Sequence, residues 1–367
     1  MILSTILKSL NEIAPLASAE PWDNVGLLAG DPRQTISKIL LTIDHTPAVA
    51  EEARNLNCDL IIAYHPPIFS AVKRMTADGP GALIHDAIRR GVAIYSPHTA
   101  WDAAKGGTND FLADCLSLID VTPLRTIELG SNYFKLVTFV PESHVDTVSN
   151  ALFAAGAGHI GNYHSCSFRA PGIGTFFGQP GTNPSVGQSG ILEKKPEIRL
   201  ETIIPITKTS EMIQALLKSH PYEEPAYDLT PLAALPSTAG HGRVGNLHAP
   251  MSIEKIIGQL KTSLKLGHLL TASEESRPIQ RIAICAGAGG ELLDAAIAAK
   301  ADLYLTGDLR HHDALKASRS GVDVICTLHS NSERSSLTRL MARFQQALPA
   351  APPMVLSRVD RDPFSIR

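Results

Sequence analysis

The segment Val324–Glu333 places a histidine and a carboxylate at a spacing that can hold a metal ion. An apolar run ends at His329, and continuous apolar runs are typical of parallel strands buried on both faces. His329 is therefore predicted at the carboxyl end of a strand, where open α/β sheets place their ligands. Glu333 follows on the same face of a helix predicted to begin near Ser330. Such a pair can bind one cation, although a His and a Glu four residues apart more often lie on a solvated helix face.

Other predicted strand ends carry groups of the same chemistry. The whole set is His65, His98, Asp102, Asp308, His312, His329 and Glu333. Histidine and carboxylate ligands without cysteine suit zinc, iron, manganese or cobalt, and two ions about 3.5–4 Å apart would need a bridging carboxylate. For any one histidine, a helix cap or a core hydrogen bond is an equally good explanation. For the set as a whole, one shared metal crevice is the better hypothesis.

Two blocks of alternating strands and helices position these groups. The N-terminal block follows an amphipathic helix, with strands predicted at 38–44, 59–63 and 92–95 and helices at 47–55, 81–90 and 108–116. The C-terminal block has strands predicted at 281–285, 302–305 and 324–328, with helices at 291–299 and after Asp308. This alternation argues for parallel sheets, and we interpret the two blocks as two halves of one site.

The residues between the blocks follow a different pattern. Strands are predicted at 133–141, 197–205 and 226–229, helices at 143–155 and 210–218, and turns at 172–190. Two βαβ units of this length indicate an inserted ferredoxin-like α+β domain. The fold class is therefore α/β, with two βαβα halves forming one split metal-binding domain around a ferredoxin-like (PII-like) insert. The predicted domains are 1–127, 128–240 and 241–367, with residues 240–245 as the return linker.

Composition disfavours several classes of protein. The 367 residues are 44% hydrophobic and 19% charged, which is ordinary for a globular chain long enough for two or more domains. A formal net charge of -3 provides no basic field for nucleic acid. No apolar run reaches the length that spans a membrane, and the N-terminus lacks a signal-peptide pattern. Five widely spaced cysteines favour buried reduced thiols, and hence a cytoplasmic location.

Three further motifs are ambiguous. Gly156–Gly161 reads G-x-G-x-x-G, but it follows a predicted helix, whereas a dinucleotide loop follows a strand, so we reject it as a cofactor loop. Gly287–Gly290 is a tight turn or, less simply, a backbone site for an anion. His220–Pro225 is either a turn or a substrate or gating loop over the crevice.

With these residues in view, the chain resembles the NIF-three-like family, also called GTP cyclohydrolase 1 type 2 homologues, over nearly its whole length. The motifs that carry the resemblance are Trp22–Leu27, Tyr64–Phe69, His98–Asp102, Thr306–Asp308 with His312, His329–Glu333 and, in the insert, Ala155–Tyr163 and His220–Glu223. The resemblance implies two divalent transition-metal ions per subunit (zinc, iron or manganese) in a toroidal homohexamer. It also implies that the inserted domain lies over or near the central cavity.

By position in these motifs, the resemblance implies His65, Asp102, His329 and Glu333 as metal ligands, with Glu333 bridging. Many family members have two adjacent histidines before the proline, and here the first of them is Tyr64. A phenol with a pKa of about 10 is a poorer ligand at neutral pH. One metal is then held more weakly, recruits His98, or is absent.

Two functional hypotheses remain open. The first is a metal-dependent hydrolase of a nucleotide or related heterocycle, or equally a phosphoesterase, in which the metal acidifies the attacking water. Asp308, His312 and His98 are its candidate proton-transfer residues. The second is a non-enzymatic hexamer that stores or delivers metal or regulates a partner through its insert. An open coordination position would favour the enzyme, and a tight, idle metal would favour the second hypothesis.

Overall fold

The computed structural model describes residues 1–127, 133–233, 239–273 and 277–365. The chain divides into two compact units, Met1–Ile127 with Ser237–Arg367 and, between them in sequence, Glu128–Pro236. The predicted domain boundary at 127/128 adjoins residues 128–132, which lie outside the described residues. The predicted boundary at 240/241 lies two positions after residues 234–238, which are also outside the described residues. Within the described ranges, every helix is too short or too polar to cross a bilayer. All five cysteines are free thiols.

The N-terminal segment of the first unit alternates short buried strands with helices. Its elements are α1 (Leu3–Ile13), β1 (Gly26–Ala29), β2 (Ile39–Thr42), α2 (Pro47–Asn55), β3 (Leu60–Ala63), α3 (Ala82–Arg89), β4 (Ala93–Ser96), α4 (His98–Ala103), α5 (Thr108–Cys115) and β5 (Ile119–Thr126). Helix α2 has its predicted bounds. It begins there because the Thr46 side chain accepts the Val49 N–H and Pro47 needs no hydrogen-bond partner in the first turn.

The second unit is a single antiparallel sheet with two helices. Its elements are β6 (Tyr133–Val140), α6 (Val145–Ala155), β7 (Ser167–Phe177), β8 (Leu192–Pro205), α7 (Thr209–Ser219) and β9 (Tyr227–Pro231). The sheet order is β7-β8-β6-β9. The turn-rich segment predicted at 172–190 is partly wrong, because β7 continues to Phe177. Gly172 and Gly174, which read as turn residues, instead pair with Glu197 and Lys195 of β8.

The C-terminal segment completes the first unit. Its elements are β10 (Gly240–Met251), α8 (Ile253–Leu264), β11 (Leu270–Ala272), β12 (Ile279–Ala288), α9 (Leu293–Ala298), β13 (Leu303–Asp308), α10 (His311–Arg319), β14 (Asp323–Cys326), α11 (His329–Arg334), α12 (Ser336–Ala347) and β15 (Met354–Leu356). Helix α11 begins at His329, one residue before the predicted start.

Two mixed sheets form the first unit, which confirms the mixed α/β class. One sheet has the order β1-β4-β3-β2-β15 and the other β11-β14-β13-β12-β10-β5. Strands β2, β3 and β4 are parallel, as are β12, β13 and β14, so the predicted alternation holds at each sheet's centre. Antiparallel strands extend both sheets. The N-terminal segment adds edge strand β5 to the sheet of the C-terminal segment, where it pairs with β10. The C-terminal segment adds edge strand β15 to the sheet of the N-terminal segment, where it pairs with β2.

The prediction of a linker at residues 240–245 is wrong, because these residues begin β10 and are buried. The glycines suggested a flexible connection, but they allow close packing instead. A Cβ at Gly242 would lie 2.7 Å from the carbonyl oxygen of Ile284, and φ there is +64°. The segment also carries a buried arginine. The Arg243 guanidinium donates to the Asp110 carboxylate and to the carbonyl oxygens of Gly240 and Gly242, both at 2.7 Å.

We expect Arg243→Ala to lower the free energy of unfolding of the first unit by about 3–5 kcal/mol, because it leaves Asp110 without its buried partner. Both tryptophans, Trp22 and Trp101, lie in this unit, so their fluorescence during urea unfolding reports the loss. The matched control is Arg54→Ala, which removes surface ion pairs to Glu51 and Asp86 and should cost less than about 1 kcal/mol. Equal losses in the two variants would contradict a structural role for Arg243.

Candidate metal centre

Three side chains from the carboxyl ends of the central strands converge in the first unit. His65 lies just beyond β3, and His329 and Glu333 lie on α11, which follows β14. Their ligand atoms all lie within 4.8 Å of one another, the one such group of three found among the described residues. The strands are parallel, so their carboxyl ends meet at one edge of each sheet. Three of the seven predicted residues, one from the N-terminal half of the chain and two from the C-terminal half, are thus brought together.

The geometry of the three-residue group fits a divalent transition metal. Glu333 is 1% exposed, and its oxygens lie 3.1 Å from His65 Nε2 and 3.6 Å from His329 Nε2. His65 Nε2 and Glu333 Oε2 are buried, and neither has a partner in hydrogen-bond geometry. Buried polar atoms are rarely left so. Two imidazole nitrogens around one carboxylate form a donor set that suits zinc, iron or manganese.

Each histidine near the group is held by a carboxylate on its other ring nitrogen. Asp44 accepts from His65 Nδ1 at 2.9 Å, and Asp308 accepts from His329 Nδ1 at 2.7 Å. Carboxylates in this position fix the ring and direct Nε2 towards a metal. Asp308, predicted as a proton-transfer residue, is therefore placed where it orients the His329 ring. Asp44 was missed, although it ends a predicted strand beside that of His65.

The same carboxylates set the protonation of the histidines. Burial lowers the pKa of His65, but the hydrogen bond to Asp44 and the charge of Glu333 outweigh burial and raise the pKa to about 10. The hydrogen bond to Asp308, against burial, raises the pKa of His329 above its ordinary value. A metal that binds Nε2 must therefore displace a proton, so metal affinity should rise with pH.

Tyr64 makes a hydrogen bond where the resemblance implies a ligand. Its ring is completely buried, and its hydroxyl donates to Asp102 Oδ1 and lies 2.8 Å from Thr108 Oγ1. Burial and the charge of Asp102 raise the pKa of Tyr64 well above its ordinary value, which keeps the phenol neutral. Burial and the charge of Glu333 raise the pKa of Asp102 to about 6. The Tyr64–Asp102 pair lies beside the three-residue group without joining it.

The two remaining candidate histidines differ in position. The ring of His98 lies 5.3 Å from that of His65, centroid to centroid, and Asp23 Oδ1 accepts from its Nδ1 at 2.8 Å. Asp23, whose side chain is fully buried, was also missed by the sequence analysis. His312 lies exposed on α10 with its ring against that of His311, and it is not among the described residues that line the cavity beside the metal group.

A cavity of about 670 Å³ adjoins the group and is large enough for a small molecule. Trp22 and Phe69, each more than half exposed, form an aromatic wall with ring centroids 6.0 Å apart. Gly287 lies on another side, where a Cβ would come within 2.8 Å of Glu333 Oε1. This close approach, with φ of +65°, favours the tight-turn interpretation of Gly287–Gly290.

We expect Asp44→Asn to weaken metal binding about 10- to 100-fold, because a neutral amide fixes His65 less firmly and makes its Nε2 less basic. A competition titration with a zinc-binding dye measures the affinity. Asp23→Asn is the matched control, since it makes the same change beside His98. An equal loss in the control would place His98 among the ligands and contradict the three-residue set.

Comparisons with known proteins agree with this architecture over the whole chain. The family model described as Duf34/NIF3 (NGG1p interacting factor 3) matches residues 1–363. A Halalkalibacterium halodurans protein named GTP cyclohydrolase 1 type 2 homolog is 36% identical over 365 residues, 98% of each chain. A solved Bacillus cereus protein related to NIF3 is 33% identical with a TM-score of 0.78, and a solved Staphylococcus aureus protein is 27% identical with a TM-score of 0.84. Each of these two alignments covers 100% of this chain and 99% of the other.

Proposed function

Because the chain belongs to the Duf34/NIF3 family, as its motifs predict, we propose that it is a metal-binding protein whose centre is held by His65, His329 and Glu333. The observation that carries the proposal is the buried ion pair of His65 Nε2 and Glu333 Oε2, which lie 3.1 Å apart and have no partner in hydrogen-bond geometry. Two carboxylates that orient the histidines support it further.

A second ion would use Asp102 with Glu333 as the bridge. In this chain the Tyr64 hydroxyl occupies one oxygen of Asp102, so we propose that the second position is held weakly or is empty at ordinary metal concentrations. His98 is the nearest histidine that could serve it, since its Nδ1 is engaged by Asp23 and its Nε2 remains for a metal or a proton. The proposed content is one tightly held ion per chain.

The proposed activity is hydrolysis of a nucleotide or related heterocycle, in keeping with the name GTP cyclohydrolase 1 type 2 homolog that relatives carry. When bound, a divalent metal lowers the pKa of a water towards neutrality and polarises the group that is attacked. The Trp22–Phe69 wall would stack a flat ring, and His98, oriented by Asp23, would carry a proton. A phosphoester is the alternative substrate for the same centre.

The activity test uses the full chain loaded with zinc, iron or manganese, incubated with GTP, other nucleotides and phosphate esters. Turnover that requires metal and falls about 100-fold or more in His98→Gln supports the hydrolase. Turnover that is unchanged in His98→Gln would exclude the proposed proton carrier. If the loaded protein holds its metal tightly and converts no substrate, the centre belongs to a storage or regulatory protein instead.

The assembly and the second unit complete the proposal. We propose that the chain forms a toroidal homohexamer, which native mass spectrometry would test. We propose that it lies in the cytoplasm, and the five free cysteines are consistent with a reducing compartment.

We also propose that residues 128–236 are a ferredoxin-like (PII-like) insert in a split metal-binding domain. The βαββαβ element order and the sheet order β7-β8-β6-β9 support this assignment.

A further inference from the structure

A cavity of about 680 Å³ lies within the second unit, on the sheet face opposite its helices. Leu200 and Ile204 of β8 pack with residues of α6 and α7, so Glu197 and Arg199, which alternate with them along β8, face the other way. The chain between β7 and β8 covers part of that open face and contributes one wall of the cavity. Its volume falls in the range of small-molecule sites.

The cavity is lined by a largely buried carboxylate, Glu197. It is 8% exposed, and its Oε1 accepts a hydrogen bond from the Tyr222 hydroxyl at 2.7 Å. Among the residues that the structure describes, none donates to Oε2 and no lysine or arginine pairs with the carboxylate. The Tyr222 hydroxyl thus holds one oxygen of the carboxylate, and Oε2 is left to meet a ligand in the cavity.

The neighbouring residues make room for the carboxylate and hold it. A Cβ at Gly174 would lie 2.0 Å from Glu197 Oε2, so glycine leaves the space that this oxygen occupies. The backbone N–H of Tyr222 donates to His220 Nδ1 at 3.1 Å, and His220 Nε2–H donates to the carbonyl oxygen of Phe139 at 3.0 Å. The His220–Pro225 motif, ambiguous in sequence, therefore fixes the tyrosine that positions Glu197.

The charges around the cavity favour a positive ligand. Glu197, Glu223 and Glu224 line it, and the single lining arginine, Arg199, already donates to Glu201 at 2.7 Å. A bare metal ion is disfavoured, because no group of three ligand atoms was found at Glu197 among the described residues. The apolar part of the lining comes from Phe139, Pro171, Ile173, Phe176, Pro184 and Val186.

We propose that the second unit binds a small organic cation, an amidine or amine on a flat apolar body, whose N–H groups donate to Glu197 Oε2. Such a ligand gives the buried carboxylate a charge-assisted partner and covers the apolar walls with its own apolar surface. This site is independent of the metal centre and of the activity proposed there.

The test uses the full-length protein with benzamidine as the probe and its neutral isostere benzamide as the paired ligand. By isothermal titration calorimetry, benzamidine should bind once per chain and at least about tenfold more tightly than benzamide. Glu197→Gln keeps the acceptor for Tyr222 but loses the charge, and it should weaken benzamidine binding about tenfold or more. Glu224→Gln, an exposed change at the same cavity, should weaken it less than about threefold.

Thermal unfolding of the free variants separates loss of binding from loss of folding. Glu197→Gln should unfold near the wild-type temperature, because the amide oxygen still accepts the hydrogen bond from the Tyr222 hydroxyl. The proposal is overturned if benzamidine and phenethylamine both fail to bind at about millimolar concentration, if benzamide binds as well as benzamidine, or if Glu197→Gln binds benzamidine like the wild type. The comparison of the two ligands on the wild type decides the question even if the variant misfolds.

Discussion

Replacing Glu333 with glutamine should remove nearly all of the metal that the purified protein binds. Glu333 is the central member of the three-residue group, because one of its oxygens faces His65 and the other faces His329. An amide of the same shape still fits against Gly287, but it is a poor ligand and its NH₂ group can donate to the imidazole lone pairs. We expect bound metal to fall from about one ion per chain to less than about one tenth.

Elemental analysis of dialysed protein measures this fall, and Glu291→Gln is its matched control. Glu291 lines the same cavity and is exposed, so the control makes the same change of charge away from the ligand atoms. Its metal content should equal that of the wild type. If Glu333→Gln remains folded by tryptophan fluorescence and keeps its metal, the three-residue centre is wrong. If both variants lose metal equally, the loss is caused by the change in the overall charge of the cavity.

The convergence of His65, His329 and Glu333 was predictable because the sequence shows where the strands end. Continuous apolar runs mark the buried parallel strands, and a polar or ionisable residue at the end of each run marks the edge where ligands bind. His65 and His329, 264 positions apart in the numbering, were assigned to one site by this argument alone. The structure brings them to within 5.3 Å, ring centroid to ring centroid.

The sequence did not show that Asp44 and Asp23 would orient histidines. Asp44 and Asp23 each act through a single hydrogen bond to a histidine Nδ1, and such a contact has no period along the chain. An aspartate at a strand end reads equally as a ligand or as a turn residue. Only the folded structure shows which histidine nitrogen donates a hydrogen bond to the aspartate.

Strands β10 and β15 were missed for a different reason. β15 has three residues, which is too short for either a two-residue or a 3.6-residue period to be recognised. β10 begins with glycines that favour a loop by composition, whereas in the structure it pairs with β5 and β12. Its pairing with β5 joins Gly240 to Thr126, and local sequence patterns do not record contacts of this range.

Replacing Tyr64 with histidine should raise the metal content from about one ion per chain towards two. The Tyr64 hydroxyl donates to Asp102, and the raised pKa of the buried phenol keeps it from becoming a phenolate ligand. Histidine at this position offers a nitrogen with a lone pair and frees an oxygen of Asp102, so Asp102, Glu333 and the new imidazole can share a second ion. Titration with zinc followed by elemental analysis measures the stoichiometry.

Tyr64→Phe separates the two effects of that substitution. It also frees Asp102 but supplies no nitrogen, so we expect its metal content to stay near one ion per chain. A second ion in Tyr64→Phe would mean that the hydrogen bond from Tyr64 to Asp102 is what prevents a second ion from binding. His98 or water would then supply the remaining ligand. A single ion in Tyr64→His, with the fold intact, would mean that position 64 does not control the second site. The difference between the two variants therefore decides whether the side chain at position 64 controls the binding of a second metal.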